Sequence, residues 1–256
     1  MITSTSNPQV KNLQQLLKKA KLRKEQDVFL AEGMKMFREA PKDQIQKVYI
    51  SKTLYEEQGS DLLCGLEAEV LSDHVFAAVS NTKTPQGILC VLKQYHYTLA
   101  DLLKKDAPHL LLLEDLQDPG NLGTIMRTAE GAGVDGVILN RTAVDLYNPK
   151  VIRATMGSVY RMPFLYVEEL KEVLPVLKEK GVRTYAAHLK GKRCYDEEDY
   201  RTGCAFFIGN EGNGLSEELS QKADVRIRIP MHGKLESLNA AVAASILMYE
   251  VCRQRR

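Results

Sequence analysis

The sequence predicts an α/β protein whose C-terminal part is built around a mainly parallel, doubly wound sheet. From His109 onward, strand-like apolar runs alternate regularly with helix-like segments, a pattern typical of β–α–β units. The run at 110–113 is apolar throughout, which indicates a strand buried on both faces. Three loops that combine glycine or proline with polar residues lie at strand–helix junctions, where open α/β sheets place ligand sites. Together these loops predict a single pocket.

The composition excludes several classes of protein. Of the 256 residues, 44% are hydrophobic and 27% are charged, and the net charge is +2, as in an ordinary globular protein. No apolar run reaches the ~18 residues needed to cross a bilayer, and the N-terminus lacks the apolar segment of a secretory signal. The five cysteines and five histidines are dispersed without a CxxC or HxxxH pair, which argues against a disulfide framework and a metal site. We therefore expect a cytoplasmic protein with no membrane contact and no metal.

The first part of the chain, residues 1–97, predicts a small α/β domain. Its predicted elements are an N-terminal helix, strands at 28–32, at 47–50, from Val70 and at 87–92, and helices at 33–40 and 73–79. This alternation is typical of an α/β domain. Residues 98–108 predict a polar linker or connecting helix.

The N-terminal helix carries a concentration of positive charge. Residues 1–24 contain no acidic residue and six basic ones, which are Lys11, Lys18, Lys19, Lys21, Arg23 and Lys24. A concentrated basic segment attracts a polyanion more strongly than the same charge spread evenly. Leucines at helical spacing also support the simpler interpretation of a solvated helix face. The two interpretations are compatible, because the polar face of an amphipathic helix can contact phosphate.

The second part, residues 109–256, predicts alternating strands and helices to its end. The predicted strands are at 110–113, 136–139, 159–165, 182–187, 205–208 and 225–229, and the predicted helices are at 122–131, 149–156, 168–180, 216–222 and 236–253. No internal repeat or low-complexity segment interrupts them.

The first of the three loops precedes the helix at 122–131. Asp-Pro-Gly at 118–120 predicts a turn, and Asn121 is a suitable N-cap for the helix. Arg127 lies further along, among neighbours that predict packing. A guanidinium on a largely apolar helix is costly unless it faces a partner, and it suits a phosphate, which it binds through two parallel hydrogen bonds. A salt bridge in the core is the alternative.

The second loop, Gly-Asn-Glu-Gly-Asn-Gly at 209–214, follows the apolar strand at 205–208. Three glycines in six residues let the backbone approach a ligand closely. Glu211 would repel a nucleotide phosphate, so the loop favours a cationic ligand or a ribose. A plain tight turn is the alternative.

The third loop joins the last strand to the last helix. Pro230 stands where no ladder N–H is needed, and Ser237 is a suitable N-cap for the helix. Capping and packing explain these features, whereas Asn239 inside the first turn is less well explained.

Taken together, these motifs resemble those of the SpoU-type (TrmH-type) RNA ribose 2′-O-methyltransferases of the SPOUT superfamily. The similar stretches are NLGTIMR at 121–127, NPKVIRATMGS at 148–158, IGNEGNGL at 208–215 and IPMHGKLESLN at 229–239. They occur in the family's order and with similar spacing across 109–251. Residues 1–97 are similar, with weaker motifs, to the family's accessory substrate-binding domain of the ribosomal-protein L30e-like type.

The resemblance implies a C-terminal trefoil knot, an exception to the rule that chains are unknotted, whose loops bind S-adenosylmethionine. The implied cofactor-binding residues are Gly209, Asn210, Glu211, Gly212, Ile229, Met231 and Leu238. The implied catalytic residues are Arg127, Asn121, Glu211, Ser237 and Asn239. For an RNA substrate, the expected binding residues are Lys11, Lys18, Lys19, Arg23 and Arg127. The family also implies a homodimer whose active sites are completed across the interface.

The function expected from this resemblance is methylation of a ribose 2′-hydroxyl in structured RNA. Residues 1–97 would bind the RNA, 98–108 would link the domains, and 109–256 would carry the knot and the chemistry. The two-domain build favours ribosomal over transfer RNA. The alternatives are a transfer-RNA 2′-O-methyltransferase, a non-catalytic RNA-binding protein, and a methyltransferase for a small molecule, which the basic helix and the extra domain disfavour.

Overall fold

The structure is a computed structural model, and it describes residues 1–189 and 191–256. The chain divides into two compact units. The first unit consists of Met1–Tyr95 and Asp145–Tyr160, and the second consists of His96–Val144 and Arg161–Arg256. None of the helices in the described residues is long and apolar enough to cross a membrane.

The described residues form eleven strands and eleven α-helices. The helices are α1 (Pro8–Lys18), α2 (Ala20–Gln26), α3 (Met34–Glu39), α4 (Lys52–Leu63), α5 (Asp73–Val79), α6 (Leu99–Leu102), α7 (Pro119–Gly131), α8 (Pro149–Thr155), α9 (Leu174–Glu179), α10 (Glu217–Lys222) and α11 (Ala240–Gln254). The strands are β1 (Val28–Glu32), β2 (Ile45–Ser51), β3 (Ala68–Leu71), β4 (Ile88–Lys93), β5 (His109–Leu113), β6 (Gly136–Asn140), β7 (Phe164–Val167), β8 (Arg183–Ala187), β9 (Arg193–Cys194), β10 (Cys204–Ile208) and β11 (Val225–Arg228). Short 3-10 turns lie at Lys42–Gln44, Ser158–Tyr160, Leu170–Val173 and Tyr195–Glu197.

The first unit is built on a four-stranded sheet in the order β1-β4-β2-β3. β4 pairs antiparallel with β1 and β2, and β2 pairs parallel with β3. The apolar stripe of α1 packs against this sheet and against α5. The core that they form includes Val10, Leu13 and Leu16 of α1 and Val75 and Phe76 of α5. Burial of this stripe leaves the opposite face of α1, with Lys11 and Lys18, exposed to solvent.

The segment 145–160 belongs to the first unit although it is distant in sequence. Its helix α8 packs against β1, and the ring of Tyr147 stacks on Phe29 with ring centroids 4.9 Å apart. The backbone N–H of Tyr95 donates a hydrogen bond of 2.6 Å to the Tyr147 hydroxyl. The Tyr160 hydroxyl donates one of 3.0 Å to the Met36 carbonyl. Aromatic packing with satisfied hydroxyl groups therefore holds this segment in the first unit.

Arg23 is a structural residue, so the prediction that it binds RNA is wrong. Its side chain is only 3% exposed and forms an ion pair of 2.5 Å with Asp145. It also donates a hydrogen bond of 2.5 Å to the Leu16 carbonyl. The charge pattern of 1–24 could not show that one of its six cations is turned inward. Lys11, Lys18 and Lys19 are exposed.

We expect an Asp145→Ala variant to lower the free energy of unfolding by about 3 kcal/mol, because it leaves the buried Arg23 guanidinium uncompensated. Urea unfolding would measure the change. The matched control is Lys21→Ala, which breaks the exposed pair with Glu25 and should cost less than about 1 kcal/mol. Equal losses in the two variants would show that the Arg23–Asp145 pair has no special structural role.

The second unit contains a seven-stranded, fully parallel sheet in the order β7-β6-β5-β10-β8-β11-β9. This confirms the predicted fold class. The central strands β5 and β10 are buried along their whole length. The trefoil knot stays a prediction of the resemblance.

Several element boundaries differ from those predicted. The predicted strand at 159–165 is a 3-10 turn followed by β7, and the predicted helix at 168–180 is a 3-10 turn followed by the short α9. The last helix begins at Ala240 rather than at residue 236. The start of α11 is set by its cap, because the Asn239 side chain accepts hydrogen bonds from the Ala241 and Val242 N–H groups.

A buried histidine lies at the start of β5 in the second unit. His109, at the start of β5, is 1% exposed and packs edge-to-face on Phe206. Its Nε2 atom has no hydrogen-bond partner among the described residues. Burial, followed by the positive charges of Arg255 and Lys105, lowers the pKa of His109 to about 3. The folded protein therefore holds this imidazole in its neutral form at neutral pH.

Because the unfolded chain takes up a proton near pH 6.5, the stability that this neutral imidazole provides is lost as the pH falls from there toward 3. We expect this residue to make the free energy of unfolding about 2 kcal/mol lower at pH 5 than at pH 7. A His109→Leu variant should lack that part of the pH dependence in parallel urea titrations. If the free energy of unfolding of the variant depended on pH as strongly as that of the wild type, this prediction would be contradicted.

Candidate active site

The first and second loops meet because the strands before them are neighbours in register. β5 and β10 pair in parallel, with Leu113 opposite Ile208. The segments that follow both strands therefore leave the same edge of the sheet at the same level. Glu114 joins them, since its carboxylate accepts hydrogen bonds from the Ser216 N–H (2.7 Å) and hydroxyl (2.6 Å).

Glu211 is the centre of the hydrogen-bond network between these loops. Its carboxylate accepts hydrogen bonds from the backbone N–H groups of Gln117 (3.1 Å) and Asp118 (2.9 Å). It also accepts one from the side-chain amide of Asn121 (3.0 Å). Burial by itself raises the pKa of Glu211, but the Asn121 side chain and the two backbone donors outweigh it and lower the pKa below its ordinary value. Glu211 is therefore a carboxylate at neutral pH.

Asn121 does not cap α7, although the sequence predicts that it does. Asp118 is the N-cap, and its carboxylate accepts a hydrogen bond of 2.7 Å from the Asn121 N–H. The side chain of Asn121, which lies in the first turn, is thereby left available to bridge two other residues. It donates to Glu211 and accepts a hydrogen bond of 2.9 Å from the side-chain amide of Asn239.

Asn239, rather than Ser237, is the N-cap of α11. Its side-chain oxygen accepts hydrogen bonds from the N–H groups of Ala241 (2.9 Å) and Val242 (3.3 Å). The cap uses the oxygen, so the amide nitrogen must point to Asn121. The orientation of both asparagine side chains follows from this chain of bonds, which runs from the helix cap to the Glu211 carboxylate. The structure thus brings together Asn121, Glu211 and Asn239.

The second loop is closed by hydrogen bonds of the Asn210 side chain. Asn210 accepts hydrogen bonds from the N–H groups of Gly212 (2.8 Å) and Asn213 (3.0 Å), and its own amide donates to the Asp115 carbonyl (2.8 Å). A Cβ atom at Gly209 would lie 2.1 Å from the Leu215 nitrogen. Only glycine leaves room for this approach of backbone to backbone.

The third loop contributes residues of mixed exposure. Ile229, Met231 and Leu238 are half-buried, whereas Ser237 is exposed and forms no hydrogen bond within the described part of the chain. The structure does not bring Ser237 into the network of Asn121, Glu211 and Asn239.

Arg127 is exposed on α7, so the alternative of a salt bridge in the core is wrong. Across residues 1–189 and 191–256 its side chain forms no hydrogen bond or ion pair, and it does not contact the Glu211 network. An unpaired guanidinium on the surface remains available for a phosphate or for a second chain.

The residues that sequence reasoning missed are polar groups of the first loop and its neighbour. They are Glu114, Asp115, Gln117, Asp118, Asn140 and Thr142. Asp118, next to proline and glycine, carried a turn signal, but the others had no recognisable pattern. Four carboxylates in this region make it strongly acidic, which favours a cationic ligand. No group of three or more histidine, cysteine or acidic side chains suited to a metal ion lies among the residues that the structure describes.

Two family models match the chain. Residues 108–249 match the SpoU rRNA Methylase family, and residues 7–90 match the MRM3-like substrate binding domain. Among curated relatives, the 23S rRNA (guanosine(2553)-2′-O)-methyltransferase RlmP of Bacillus subtilis is 36% identical over 253 residues, which are 98% of each chain. The uncharacterized tRNA/rRNA methyltransferase slr1673 of Synechocystis is 33% identical and covers 99% of this chain and 94% of its own length.

Solved structures agree along almost the whole chain. The AdoMet-bound rRNA methyltransferase from Sinorhizobium meliloti has a TM-score of 0.87 at 32% identity and covers 98% of this chain and 97% of its own. The SpoU methyltransferase AviRb from Streptomyces viridochromogenes, in complex with AdoMet, has a TM-score of 0.88 at 25% identity, with coverage of 97% and 98%.

Proposed function

The chain belongs to the SpoU rRNA methylase family, and we propose that it methylates a ribose 2′-hydroxyl in ribosomal RNA. It is an S-adenosylmethionine-dependent RNA 2′-O-methyltransferase, since RlmP is named for 2′-O-methylation and two similar solved structures contain AdoMet. Ribosomal RNA is the proposed target because RlmP, which is similar over the full length, is named for 23S rRNA. The observation that carries the proposal is the network that ties Glu211 to Asn121 and Asn239, since it unites all three loops.

The residues of the second and third loops fit S-adenosylmethionine. Ile229, Met231 and Leu238 are half-buried apolar side chains of the third loop, and the carboxylates of Glu114, Asp115, Asp118 and Glu211 around the first two loops suit a sulfonium. We propose that Ile229, Met231 and Leu238, together with Gly209, Asn210, Glu211 and Gly212, hold the cofactor. When bound, it supplies an electrophilic methyl group.

The protein's own task is to place and activate the ribose. A 2′-hydroxyl is a poor nucleophile near neutral pH, so alignment of the reacting groups and a proton acceptor are both required. Arginine is too basic to lose its proton readily. We therefore propose that Arg127 binds an adjacent RNA phosphate and that this phosphate accepts the hydroxyl proton. We also propose that Asn121 and Glu211 support the site and that Asn239 organises the third loop through its bonds to Asn121 and to the first turn of α11. The role of Ser237 in the site stays a proposal from the family resemblance alone.

We propose that the protein works as a homodimer in which α7 and α11 form the interface. These helices pack on each other, and Val242 and Tyr249 on α11 are each 47% exposed although they are large and hydrophobic. A second copy would cover this surface, as expected for a twofold interface. Arg127, which does not reach its own Glu211 network, would then serve the site of the partner.

We propose that the exposed Lys11, Lys18 and Lys19 of the first unit bind the RNA backbone. Lys11 and Lys18 lie two turns apart on the solvent face of α1, so both can contact phosphates of one RNA segment. The match of this region to a substrate-binding domain supports that role. We also propose a cytoplasmic location, where the ribosomal RNA of bacteria such as those of the relatives is modified.

The test is incubation of the purified protein with S-adenosylmethionine labelled in its methyl group and with unmodified ribosomal RNA, transfer RNA or RNA-free metabolites. We expect label in ribosomal RNA, at a ribose that ribose-methylation mapping also finds in cells with the protein and not in cells without it. Label in transfer RNA alone would show that the substrate is transfer RNA, and label in metabolites alone would show that it is a small molecule. RNA binding without any label would indicate a non-catalytic binding protein.

A further inference from the structure

We propose that Asp115 is a positioning residue that sets the geometry of the methyl-donor site, an inference that rests on the proposed function. Asp115 follows β5 and has a left-handed backbone with φ of 51°. Its N–H donates a hydrogen bond of 2.9 Å to the Asn140 side-chain oxygen. Its carbonyl accepts hydrogen bonds from the side-chain amides of Asn210 (2.8 Å) and Gln117 (3.2 Å). Both backbone polar groups are therefore engaged by side chains.

The carboxylate of Asp115 is engaged as well. Its Oδ1 accepts a hydrogen bond of 2.8 Å from the Asn140 amide and a second, short one from the Thr142 hydroxyl. Asp115 and Asn140 are thus bonded reciprocally, each through a side-chain acceptor and a donor. The left-handed conformation costs a non-glycine residue about 1 kcal/mol or more, and these bonds hold it in place.

Through these contacts Asp115 joins three segments that leave the same edge of the sheet. They are the first loop after β5, the end of β6 with the two residues that follow it (140–142), and the second loop after β10. The Gln117 side chain strengthens the junction by also donating to the Thr142 carbonyl (2.8 Å).

The consequence reaches Glu211 within a few bonds. The N–H groups of Gln117 and Asp118, two and three residues after Asp115, are the backbone donors to the Glu211 carboxylate. Asn210, which the Asp115 carbonyl anchors, closes the loop that contains Glu211. A change in the backbone at Asp115 therefore displaces both sides of the Glu211 contact.

The test compares three substitutions of Asp115. An Asp115→Gly variant keeps the left-handed backbone at no cost but removes the acceptor, so we expect S-adenosylmethionine to bind about 10- to 100-fold more weakly. Asp115→Ala should be at least as impaired, because it loses the acceptor and also disfavours the backbone conformation. Asp115→Asn keeps an oxygen acceptor and tolerates the left-handed region, so it should rescue binding to within about threefold of wild type.

The measurement is the dissociation constant of S-adenosylmethionine by titration calorimetry on the full chain, together with the KM for each substrate. We expect the KM for the methyl donor to rise and the KM for RNA to stay within about twofold. The matched control is Asp27→Gly, because Asp27 also has a left-handed backbone (φ 54°) but caps α2 in the first unit. It should leave donor affinity unchanged.

A second pair of variants tests the same role if Asp115→Gly unfolds at a temperature too low for the dissociation constant to be measured. Asn140→Asp places two carboxylates face to face and should weaken donor binding, whereas the exchange Asp115→Asn with Asn140→Asp restores one donor and one acceptor and should recover it. Donor affinity unaffected by Asp115→Gly, or an Asn variant as impaired as the Gly variant, would overturn the positioning role. Because donor binding is measured without RNA, failure of the ribosomal-RNA assignment would be seen separately, in the labelling assay.

Discussion

An Arg127→Ala variant is expected to transfer methyl groups about 100- to 1,000-fold more slowly than the wild type. The reason is that Arg127 is an exposed, unpaired cation on α7, and the proposed mechanism assigns it the RNA phosphate next to the reacting ribose. The loss should appear in kcat and in the KM for RNA. S-adenosylmethionine affinity should stay at the wild-type value, because the proposed mechanism gives Arg127 a contact with the RNA phosphate and none with the methyl donor.

Two control variants separate a specific role from a loss of surface charge. Arg201 is also an exposed arginine of the second unit, but it pairs with Asp199, so Arg201→Ala should retain near-normal turnover. Arg127→Lys keeps the charge but cannot form the bidentate contact with phosphate, so it should recover only part of the rate. Near-normal turnover in Arg127→Ala would remove this residue from the mechanism.

Subunit complementation tests whether Arg127 serves the partner's site. A mixture of equal amounts of Arg127→Ala and Asn121→Asp protomers, unfolded and refolded together, yields heterodimers in half of the dimers. Each heterodimer has one site with both residues intact if the site is shared, so activity should return to about 25% of the wild type. If Arg127 acts within its own chain, no site in the mixture is intact, and activity should stay at the level of the separate variants.

The sequence predicted the parallel sheet well because buried strands leave a strong signal. The run at 110–113 lies in β5, which pairs with β6 and β10, and β10 pairs with β5 and β8. Helices without an apolar stripe left no such signal. α4 (Lys52–Leu63) was not predicted, since it is largely polar and is interrupted at Gly59, where φ is 38°.

Local signals could not decide which residue caps a helix. Asp118, Asn121, Ser237 and Asn239 all have side chains suited to an N-cap, and the sequence favoured Asn121 and Ser237. The structure uses Asp118 and Asn239 instead. The difference matters for function, because Asn121 does not cap α7 and its side chain is therefore free to donate a hydrogen bond to Glu211.

Burial and long-range hydrogen bonding were also beyond the sequence pattern. Arg23 could not be told apart from the exposed lysines around it, because its partner Asp145 is 122 residues away. Asp115 and Asn140 have no motif in common, and only the pairing of β5 with β6 brings them together. The three loops, by contrast, were recognisable because glycine and proline mark backbone requirements in the sequence itself.

An Asn121→Asp variant is expected to bind S-adenosylmethionine about 10- to 100-fold more weakly at pH 8, since it leaves a polar group without its partner and sets like charges together. In the wild type the Asn121 amide donates to Glu211 across 3.0 Å. The new carboxylate would face the Glu211 carboxylate with no proton between them. The substitution is nearly isosteric, so the change measures charge and hydrogen bonding rather than volume.

The pH dependence identifies the cause. Repulsion between two adjacent carboxylates raises the pKa of one of them, so one shared proton can bridge the pair as the pH falls. Donor affinity in Asn121→Asp should therefore move toward the wild-type value between pH 8 and pH 6. The wild type should show no such recovery, because its hydrogen bonds lower the pKa of Glu211 and keep it charged over that range.

The matched control is Asn7→Asp, which makes the same change at the cap of α1, where the side chain accepts from the Gln9 N–H. Aspartate is as good a cap as asparagine and favours a helix N-terminus, so donor affinity should not change at either pH. A loss in Asn121→Asp that is equal at pH 6 and pH 8 would mean that the two carboxylates do not share a proton. The contact between the first and second loops would then depend on the shape of the Asn121 side chain rather than on its hydrogen bond to a charged Glu211.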